Sequence, residues 1–246
     1  MGVAQTIINQ IPPHAIYLEP FLGSGAVFRA KRPAQVDFGL DVDPLTVEAF
    51  VRETGVPQVE RPSRGRAVAC GCALEFLERY EAQGGEFAYV DPPYLLETRR
   101  SSRPIYRCEF AGLDQHERLL ELVARLPFPV ALSGYPSELY GERLPGWRCL
   151  TFETMTRGGA MATEALWMNY PEPQELHDYR FLGRDRIERQ RIKRKRERWR
   201  ARLTTMPTLE RWAILAAIQD WQEHERYPRD GGAVPPGAIL PEGMVG

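Results

Sequence analysis

The 246-residue sequence has the length of one α/β domain, or of one domain with an appendage. Its apolar fraction of 43% allows a full core, while no run of residues approaches a membrane span and the N-terminus lacks a signal-peptide pattern. We therefore expect a soluble, cytoplasmic protein without a membrane partner. Four cysteines do not make a disulfide framework in a chain of this length, and their spacing fits no zinc site, so we expect reduced, packed thiols and no metal. These cysteines are Cys70, Cys72, Cys108 and Cys149.

The net charge of −1 conceals a strongly basic segment. Residues 184–202 contain eleven Lys/Arg and three Asp/Glu, a local charge of +8, so the remainder carries −9. The segment is helix-prone and has too few apolar residues for a buried face. It therefore predicts a helix that contacts phosphates and adds salt-dependent affinity, the alternative being a solvated helix without a ligand. The candidate contacts are Arg191, Lys193, Arg194, Lys195 and Arg196.

Three parts of the chain are predicted from these changes in composition. We expect residues 1–175 to form the α/β domain, and residues 176–226 to form a basic helical extension with a second helix from Thr208 to His224. Residues 227–246 are rich in Gly and Pro, which is typical of a disordered tail.

The first candidate site is a glycine turn between a strand and a helix. After a short helix over Thr6–Gln10, Ala15–Leu18 reads as a strand, and Ala26–Lys31 reads as a helix. The intervening residues 19–25, Glu-Pro-Phe-Leu-Gly-Ser-Gly, let the backbone approach a ligand closely. The third glycine of the dinucleotide fingerprint is missing, so a pyrophosphate is not favoured. The acid instead suggests a ligand with positive charge or free hydroxyls.

A second acidic turn follows the next predicted strand, Gln35–Leu40. Asp41 stands where α/β proteins usually bind a ribose diol. Asp43 precedes Pro44 and has the pattern of an N-cap for a helix over Leu45–Glu53. Both roles are compatible.

The third candidate site is Asp91-Pro-Pro-Tyr94, at the end of the apolar run Glu86–Val90. Prolines cannot donate to a sheet ladder, so the strand stops there. Its tip then presents a carboxylate, the carbonyl of Pro92 and an aromatic ring, which suit a planar molecule with an amino group. The alternative is a plain Pro-Pro turn in which Tyr94 only packs.

The remaining pattern predicts a mostly parallel sheet with helices on both faces, with the three candidate sites at strand C-termini. A capping box at Asp114 predicts a helix to Leu126. The other predicted elements are a strand over Ala67–Cys70, a helix over Ala73–Gln83, a strand over Pro129–Ser133, and a late strand pair over Trp147–Phe152 and Ala165–Tyr170.

Together the motifs resemble a known family, the Dam-type, D12-class DNA adenine-N6 methyltransferases. The resemblance covers roughly residues 7–171, and its later part rests on Leu132–Tyr135 and Glu164–Tyr170. It implies a Rossmann-like class I methyltransferase fold, S-adenosylmethionine as cofactor and adenine in double-stranded DNA as substrate, in a phage or prophage type of protein linked to restriction-modification. The motifs that carry it are Tyr17-Leu-Glu-Pro-Phe-Leu-Gly-Ser-Gly-Ala-Val-Phe28, Asp41-Val-Asp-Pro44 and Asp91-Pro-Pro-Tyr94.

The resemblance also implies roles for single residues. Asp91 and the Pro92 carbonyl would accept hydrogen bonds from the target amino group, with Pro93 completing the catalytic motif. Tyr94 would stack on the adenine, which must be flipped out of the duplex. The implied cofactor-binding residues are Glu19, Pro20, Phe21, Gly23, Gly25, Asp41, Cys72 and Asp91.

The sequence departs from the family in three ways. It begins about a helix before Glu19, without the family's Lys- and Gly-rich segment, and Cys72 stands where the family has an acid, so weaker cofactor binding is expected. Fewer than fifty residues separate Asp41 from Asp91, too few for the family's DNA-reading insertion. We expect base reading from two loops instead. Their candidate residues are Arg99, Arg100, Arg103, Tyr106, Arg107 and Arg157.

Two alternatives stay open at this point. One is a weak or inactive DNA-binding homologue, and the other is a methyltransferase acting on RNA or on a protein amide. For the leading interpretation we expect a monomer associated with the bacterial nucleoid.

Overall fold

A single seven-stranded sheet organises the chain. A computed structural model describes residues 2–95, 110, 112–155 and 161–226. The strand order is β3-β2-β1-β4-β5-β7-β6, in which β1 to β5 run parallel and β7 is antiparallel to both of its neighbours. The strands are β1 Ile16–Glu19, β2 Val36–Asp41, β3 Gly65–Cys70, β4 Glu86–Val90, β5 Val130–Gly134, β6 Arg148–Met155 and β7 Met161–Met168.

Helices cover both faces of this sheet. Apolar side chains of α1, α2 and α3 form one buried cluster against the sheet, and those of α4, α5 and α6 form a second on the opposite face. The predicted Rossmann-like architecture is thus confirmed. The helices are α1 Val3–Ile8, α2 Ala26–Ala30, α3 Pro44–Thr54, α4 Ala73–Arg79, α5 Leu113–Arg125, α6 Glu138–Arg143, α7 Arg186–Thr205 and α8 Thr208–Arg226.

The start of α3 follows the predicted capping chemistry. Oδ1 of Asp43 accepts a hydrogen bond from the Leu45 N–H at 3.1 Å, and Pro44 occupies the first turn. Because proline lacks an N–H that would otherwise be left unpaired there, this start is favourable. The cap assignment of Asp43 is confirmed.

Three helices differ from the predictions in their boundaries, and the first of them, α1, spans Val3–Ile8 rather than Thr6–Gln10. Helix α4 ends at Arg79 rather than at Gln83, because the Glu86 carboxylate accepts the backbone N–H groups of Gln83 and Gly84. Helix α5 begins at Leu113, and the Gly112 N–H donates to Oε1 of Gln115 at 3.3 Å, so Asp114 lies in the first turn and is not the cap.

Helix α6 was missed by the sequence analysis. Its cap is Ser137, whose hydroxyl oxygen accepts the Tyr140 N–H at 3.3 Å.

The late strand pair is confirmed and is longer than predicted. Gly134, at the end of β5, pairs with Ala165, so residues 161–164 of β7 continue past the C-terminal edge of the sheet. Glu164 is the first of these residues beyond the edge. The β6–β7 hairpin therefore reaches the side of the sheet where the parallel strands end.

The chain divides into two compact units between Arg189 and Gln190, within α7. In the first unit, the segment after β7 returns to the N-terminal helices, since the His177 N–H donates to the Ile11 carbonyl at 2.9 Å. In the second, α7 and α8 present mostly exposed side chains, in agreement with the predicted basic helix followed by a second helix. The predicted tail over 227–246 lies outside the described residues.

None of the helices in the described part of the chain combines the length and the hydropathy needed to cross a bilayer. Within the same residues, no group of three or more His, Cys, Asp or Glu side chains is arranged to hold a metal ion. Cys70, Cys72 and Cys149 are free thiols, while Cys108 lies outside the described residues.

Candidate active site

A cavity of about 500 Å³ opens where β1, β2 and β4 end. It lies at the point where the chain order reverses beside β1, which is the usual ligand position in open α/β sheets. The fold therefore brings together residues from three separate predicted turns. Those of the predicted residues that line the cavity are Glu19, Pro20, Phe21, Gly23, Asp41, Cys72, Asp91 and Pro93.

The glycine turn is tied directly to the acid of the second strand. The Gly23 N–H donates to Oδ2 of Asp41 at 2.8 Å, and the Asp43 N–H donates to Oδ1 at 3.0 Å. Gly23 has φ of 48°, a left-handed conformation that glycine adopts at little cost. One donor on each oxygen fixes the Asp41 carboxylate and leaves lone pairs for a ligand.

Gly25 serves packing instead of lining the cavity. Its φ is 61°, and a Cβ at this position would lie 2.4 Å from Cε2 of Phe50. A side chain at Gly25 would thus displace the buried Phe50 ring that holds α3 against α2. The predicted direct contact between Gly25 and a ligand has no counterpart in the cavity lining described here.

A Tyr-x-acid pattern repeats at the ends of the neighbouring strands β1 and β4. Oη of Tyr17 donates to Oε2 of Glu19 at 2.6 Å, with both groups buried. The Tyr89 hydroxyl is 2.9 Å from Oγ of Ser133, and burial, then the charge of Asp91, raises the pKa of Tyr89. Each acid thus follows a buried tyrosine by two residues, and the acids are close enough for the charge of Asp91 to affect Glu19.

Burial shifts the titration of both acids towards neutral pH. It raises the pKa of Glu19 to about 8, with a further rise from the charge of Asp91, although the Tyr17 hydrogen bond opposes it. It also raises the pKa of Asp91 to about 7, with a further rise from the charge of Glu164. A carboxyl group taken out of water favours its neutral form. At pH 7 Glu19 is therefore mostly protonated, and Asp91 is about half ionised.

Tyr94 lies on the far side of Asp91 from the cavity. Its hydroxyl donates to Oε2 of Glu164 at 3.5 Å, and burial, then the charge of Asp91, raises its pKa. Its ring meets the ring of Tyr135 edge to face, with centroids 4.6 Å apart. Pro92 is buried. Within the Asp91-Pro-Pro-Tyr94 turn, Asp91 and Pro93 line the cavity, whereas Tyr94 contacts Glu164 of β7 and Tyr135.

Several residues of the site were missed by the sequence analysis. Phe110 and Gln115 line the cavity, and the Phe110 ring meets that of Phe21 edge to face at 5.1 Å. His116 holds Phe110 in place through a 3.2 Å hydrogen bond between Nε2 and the Phe110 carbonyl. Glu164 was recognised only as part of a motif. Tyr89 and Asp91 are two residues apart, a spacing that places strand residues on the same face of a sheet. This spacing was the one sequence signal that a tyrosine would lie near Asp91.

Cys72, in the connection between β3 and α4, lines the cavity. It is the N-cap residue of α4 but makes no side-chain capping hydrogen bond. It also borders a second cavity of about 870 Å³, which lies against Leu18 and Phe38 on the other face of the sheet. The smaller cavity lies at the carboxyl ends of the parallel strands, the usual ligand position in such sheets, and is therefore the better candidate for a ligand site.

The predicted nucleic-acid contacts fall in two groups. Those on the two loops lie outside the described residues, namely Arg99, Arg100, Arg103, Tyr106, Arg107 and Arg157. Those on the basic segment lie on α7 and are exposed, with Lys193 3.9 Å from the Glu197 carboxylate. These exposed residues are Arg191, Lys193, Arg194, Lys195 and Arg196.

No known family profile matches the sequence, and no curated protein matches it. Solved structures do match. One is an S-adenosylmethionine-dependent methyltransferase from Methanosarcina mazei, with 10% identity over 66% of this chain and 95% of that one, and a TM-score of 0.47. Another is magnesium protoporphyrin IX methyltransferase from Synechocystis with bound S-adenosylmethionine, with 11% identity over 68% and 74% and a TM-score of 0.41.

A third match is precorrin 8w decarboxylase from Methanobacterium thermoautotrophicum, with 13% identity over 70% of this chain and 90% of that one, and a TM-score of 0.42. Likeness at this level defines neither substrate nor reaction.

Proposed function

We propose that this chain is an S-adenosylmethionine-dependent methyltransferase that methylates the N6 amino group of adenine in double-stranded DNA. The observation that carries the proposal is the position of Asp91 and Pro92. They end β4 between a cavity built from the glycine turn and Asp41 on one side and Tyr94 on the other. An acceptor pair between a cofactor-sized cavity and an aromatic ring suits transfer to a planar amine.

The residues of the cavity fit S-adenosylmethionine. The fixed Asp41 carboxylate offers acceptors to a ribose diol, Phe21 and Phe110 form an aromatic wall, and Glu19 offers a carboxyl group to an ammonium. Three residues of α1 add an apolar surface: Val3, Ala4 and Ile7. When bound, the cofactor supplies an electrophilic methyl group.

The protein's own task is then to prepare the amine. The lone pair of an adenine amino group is delocalised into the ring, so the amine is a poor nucleophile. Asp91 and the Pro92 carbonyl, as acceptors of both amino hydrogens, would draw the nitrogen towards tetrahedral geometry and free this lone pair. Tyr94 would hold the plane of the flipped base.

DNA is favoured as substrate by the order of the motifs and by α7. The helix carries an exposed row of positive charges that suits a phosphate backbone. Residues 44–90 form α3, β3, α4, β4 and the short connections between them, which leaves no room there for a separate DNA-reading domain. This second observation favours RNA as the alternative substrate.

The test is transfer of a tritiated methyl group to unmethylated DNA and, in parallel, to unmethylated RNA, each followed by digestion to nucleosides. We expect label in N6-methyl-2′-deoxyadenosine. Label in RNA nucleosides alone would replace the proposed substrate. No label in either, with DNA binding retained, would favour the inactive homologue, for which Cys72 is the residue to restore to an acid.

A further inference from the structure

The hydroxyl of Tyr94 lies between two carboxylates. It donates to Oε2 of Glu164 at 3.5 Å, and it lies close enough to Asp91 that the charge of Asp91, after burial, raises the pKa of Tyr94. A phenol has one hydrogen, so it serves one of the two acceptors at a time. The choice between them determines how many hydrogen bonds Asp91 accepts from the protein.

The groups around both acids are held in place. The Tyr89 hydroxyl is hydrogen-bonded to Ser133 Oγ at 2.9 Å and lies close enough to Asp91 that the charge of Asp91, after burial, raises the pKa of Tyr89. On β7, Oε1 of Glu164 accepts a hydrogen bond from Oγ1 of Thr154 at 2.9 Å. Thr154 is buried, which fixes the Glu164 carboxylate with its other oxygen towards Tyr94.

We propose that Glu164 is a positioning residue of the reaction centre, which holds the Tyr94 hydroxyl away from Asp91. One oxygen of Asp91 is thereby left available for the amino group of the substrate. The inference rests on the proposed function for the role of Asp91. In this proposal Glu164 orients Tyr94 for the reaction, in addition to its structural hydrogen bond within the β6–β7 hairpin.

The physical reason is competition for the charge of Asp91. Each hydrogen bond that a carboxylate accepts spreads its negative charge and weakens the next, and the effect is large in a buried site of low dielectric. With Glu164 ionised, Tyr94 donates to it, and Asp91 keeps its acceptor strength. The groups that face Asp91 are Glu19 on β1, Tyr89 on β4, Tyr94 in the following turn, Tyr140 on α6 and Glu164 on β7.

The first measurement needs no substrate. Carboxyl-¹³C-labelled aspartate gives the titration midpoint of Asp91, assigned by its loss in Asp91→Asn. Glu164→Ala should lower this midpoint by about one pH unit, since a nearby negative charge disappears and the Tyr94 hydroxyl turns to Asp91. In a Tyr94→Phe background the same substitution should lower it less, because no hydroxyl remains to turn. Equal lowering in both backgrounds, or none in either, would overturn the inference.

The second measurement is the single-turnover rate of methyl transfer above pH 8. Glu164→Ala should reduce it about tenfold to a hundredfold, the range of one hydrogen bond to a charged group. Glu164→Gln, which keeps an acceptor oxygen, should recover part of the loss. Added to Tyr94→Phe, Glu164→Ala should reduce the rate far less. Glu153→Ala, an exposed acid on the other face of the same hairpin, is the matched control and should leave the rate unchanged.

If Glu164→Ala reduces the rate of methyl transfer as much in the Tyr94→Phe background as in the unaltered protein, Glu164 acts without Tyr94, and the inference is wrong. If the unaltered protein transfers no methyl group at all, the proposed function fails. The Asp91 titration then still decides whether Glu164 and Asp91 compete for the Tyr94 hydroxyl.

Discussion

Gly23 and Asp41 are joined by a hydrogen bond from the Gly23 N–H to Oδ2 of Asp41, at 2.8 Å across eighteen positions of sequence. The bond links the first βα turn to the end of β2, so two motifs that look independent in the sequence form one hydrogen-bonded unit at the cavity. The second oxygen of Asp41 is held by the Asp43 N–H. The carboxylate is thereby oriented before any ligand arrives.

Asp41→Ala should weaken the binding of S-adenosylmethionine about tenfold to a hundredfold, which corresponds to the loss of about 1.5–3 kcal/mol for hydrogen bonds to a charged group. Isothermal titration calorimetry measures the effect directly. The control is Glu48→Ala, an exposed acid on α3, which should bind like the unaltered protein. Unchanged affinity in Asp41→Ala would contradict the ribose-binding role.

Binding of this cationic cofactor should release a proton from Glu19. Burial raises the pKa of Glu19 to about 8, so the group is mostly protonated at pH 7. A positive charge beside it favours the ionised form, which lowers the pKa and expels the proton. Affinity should therefore rise with pH between about 6 and 8.

Calorimetry in two buffers of different ionisation enthalpy counts the released protons. Glu19→Gln should release fewer than the unaltered protein, with the remainder coming from Asp91. Equal proton release in the two proteins would show that Glu19 does not face the cation.

The stacked pair of His14 and His177 should make the fold sensitive to acid. Their ring centroids are 3.8 Å apart, and burial, then the neighbouring His177, lowers the pKa of His14 to about 3. The unfolded histidine binds a proton below about pH 6.5, whereas the folded one does not until about pH 3, so stability is lost as the pH falls through this window.

His14→Phe keeps a ring in the stack and removes this linkage. Between pH 6.5 and 4.5 it should lose about 2 kcal/mol less free energy of unfolding than the unaltered protein, as measured by urea denaturation. Glu19 acts in the opposite direction over part of this range, because its raised pKa makes the fold less stable as the pH rises from about 4.5 to 8. Comparison of single variants separates the two. The control is His224→Phe, on the exposed face of α8, which should keep the original slope.

Neutralising charges on α7 should reduce the salt dependence of DNA affinity. Lys193→Gln/Arg194→Gln removes two exposed positive charges, and each phosphate contact contributes about 0.9 to the slope of log affinity against log salt concentration. The slope should fall by up to about 2. A matched variant, Arg52→Gln/Arg125→Gln, removes two exposed charges from the body and should leave the slope as it was. Equal effects of the two variants on the slope would contradict phosphate binding by α7 and would favour the alternative, a solvated helix without a ligand.

Much of the fold follows from local patterns in the sequence. The strand ends at Asp41 and Asp91 are marked by acids and prolines, and the cap at Asp43 is marked by Pro44. These signals act over a few residues, so they are readable without knowing the fold. The start of α5 was misplaced because Gly112, which has no capping side chain, begins the helix ahead of the more typical Asp114.

Local sequence patterns could not predict the contacts of the site that depend on which strand residues pair with each other. Glu164 reaches Tyr94 because Ala165 pairs with Gly134, a contact between residues thirty-one positions apart that no local motif records. Phe110 joins the cavity through its contact with Phe21, which is equally non-local, while His116, six residues later, holds the Phe110 carbonyl. Gly25 shows the reverse case, since a motif position that looks ligand-binding in the sequence is explained by its packing against Phe50.

The most direct test of the proposed function is the measurement of N6-methylated adenine in the DNA of living cells. The chain would be expressed in a bacterial strain that lacks adenine methylation, and N6-methyl-2′-deoxyadenosine in its digested DNA would be measured by mass spectrometry. The account predicts the modified nucleoside with the unaltered protein and its absence with Asp91→Ala, which should still bind DNA. The same amount of modified nucleoside with both proteins, or none with either while both are folded and bind S-adenosylmethionine, would contradict it.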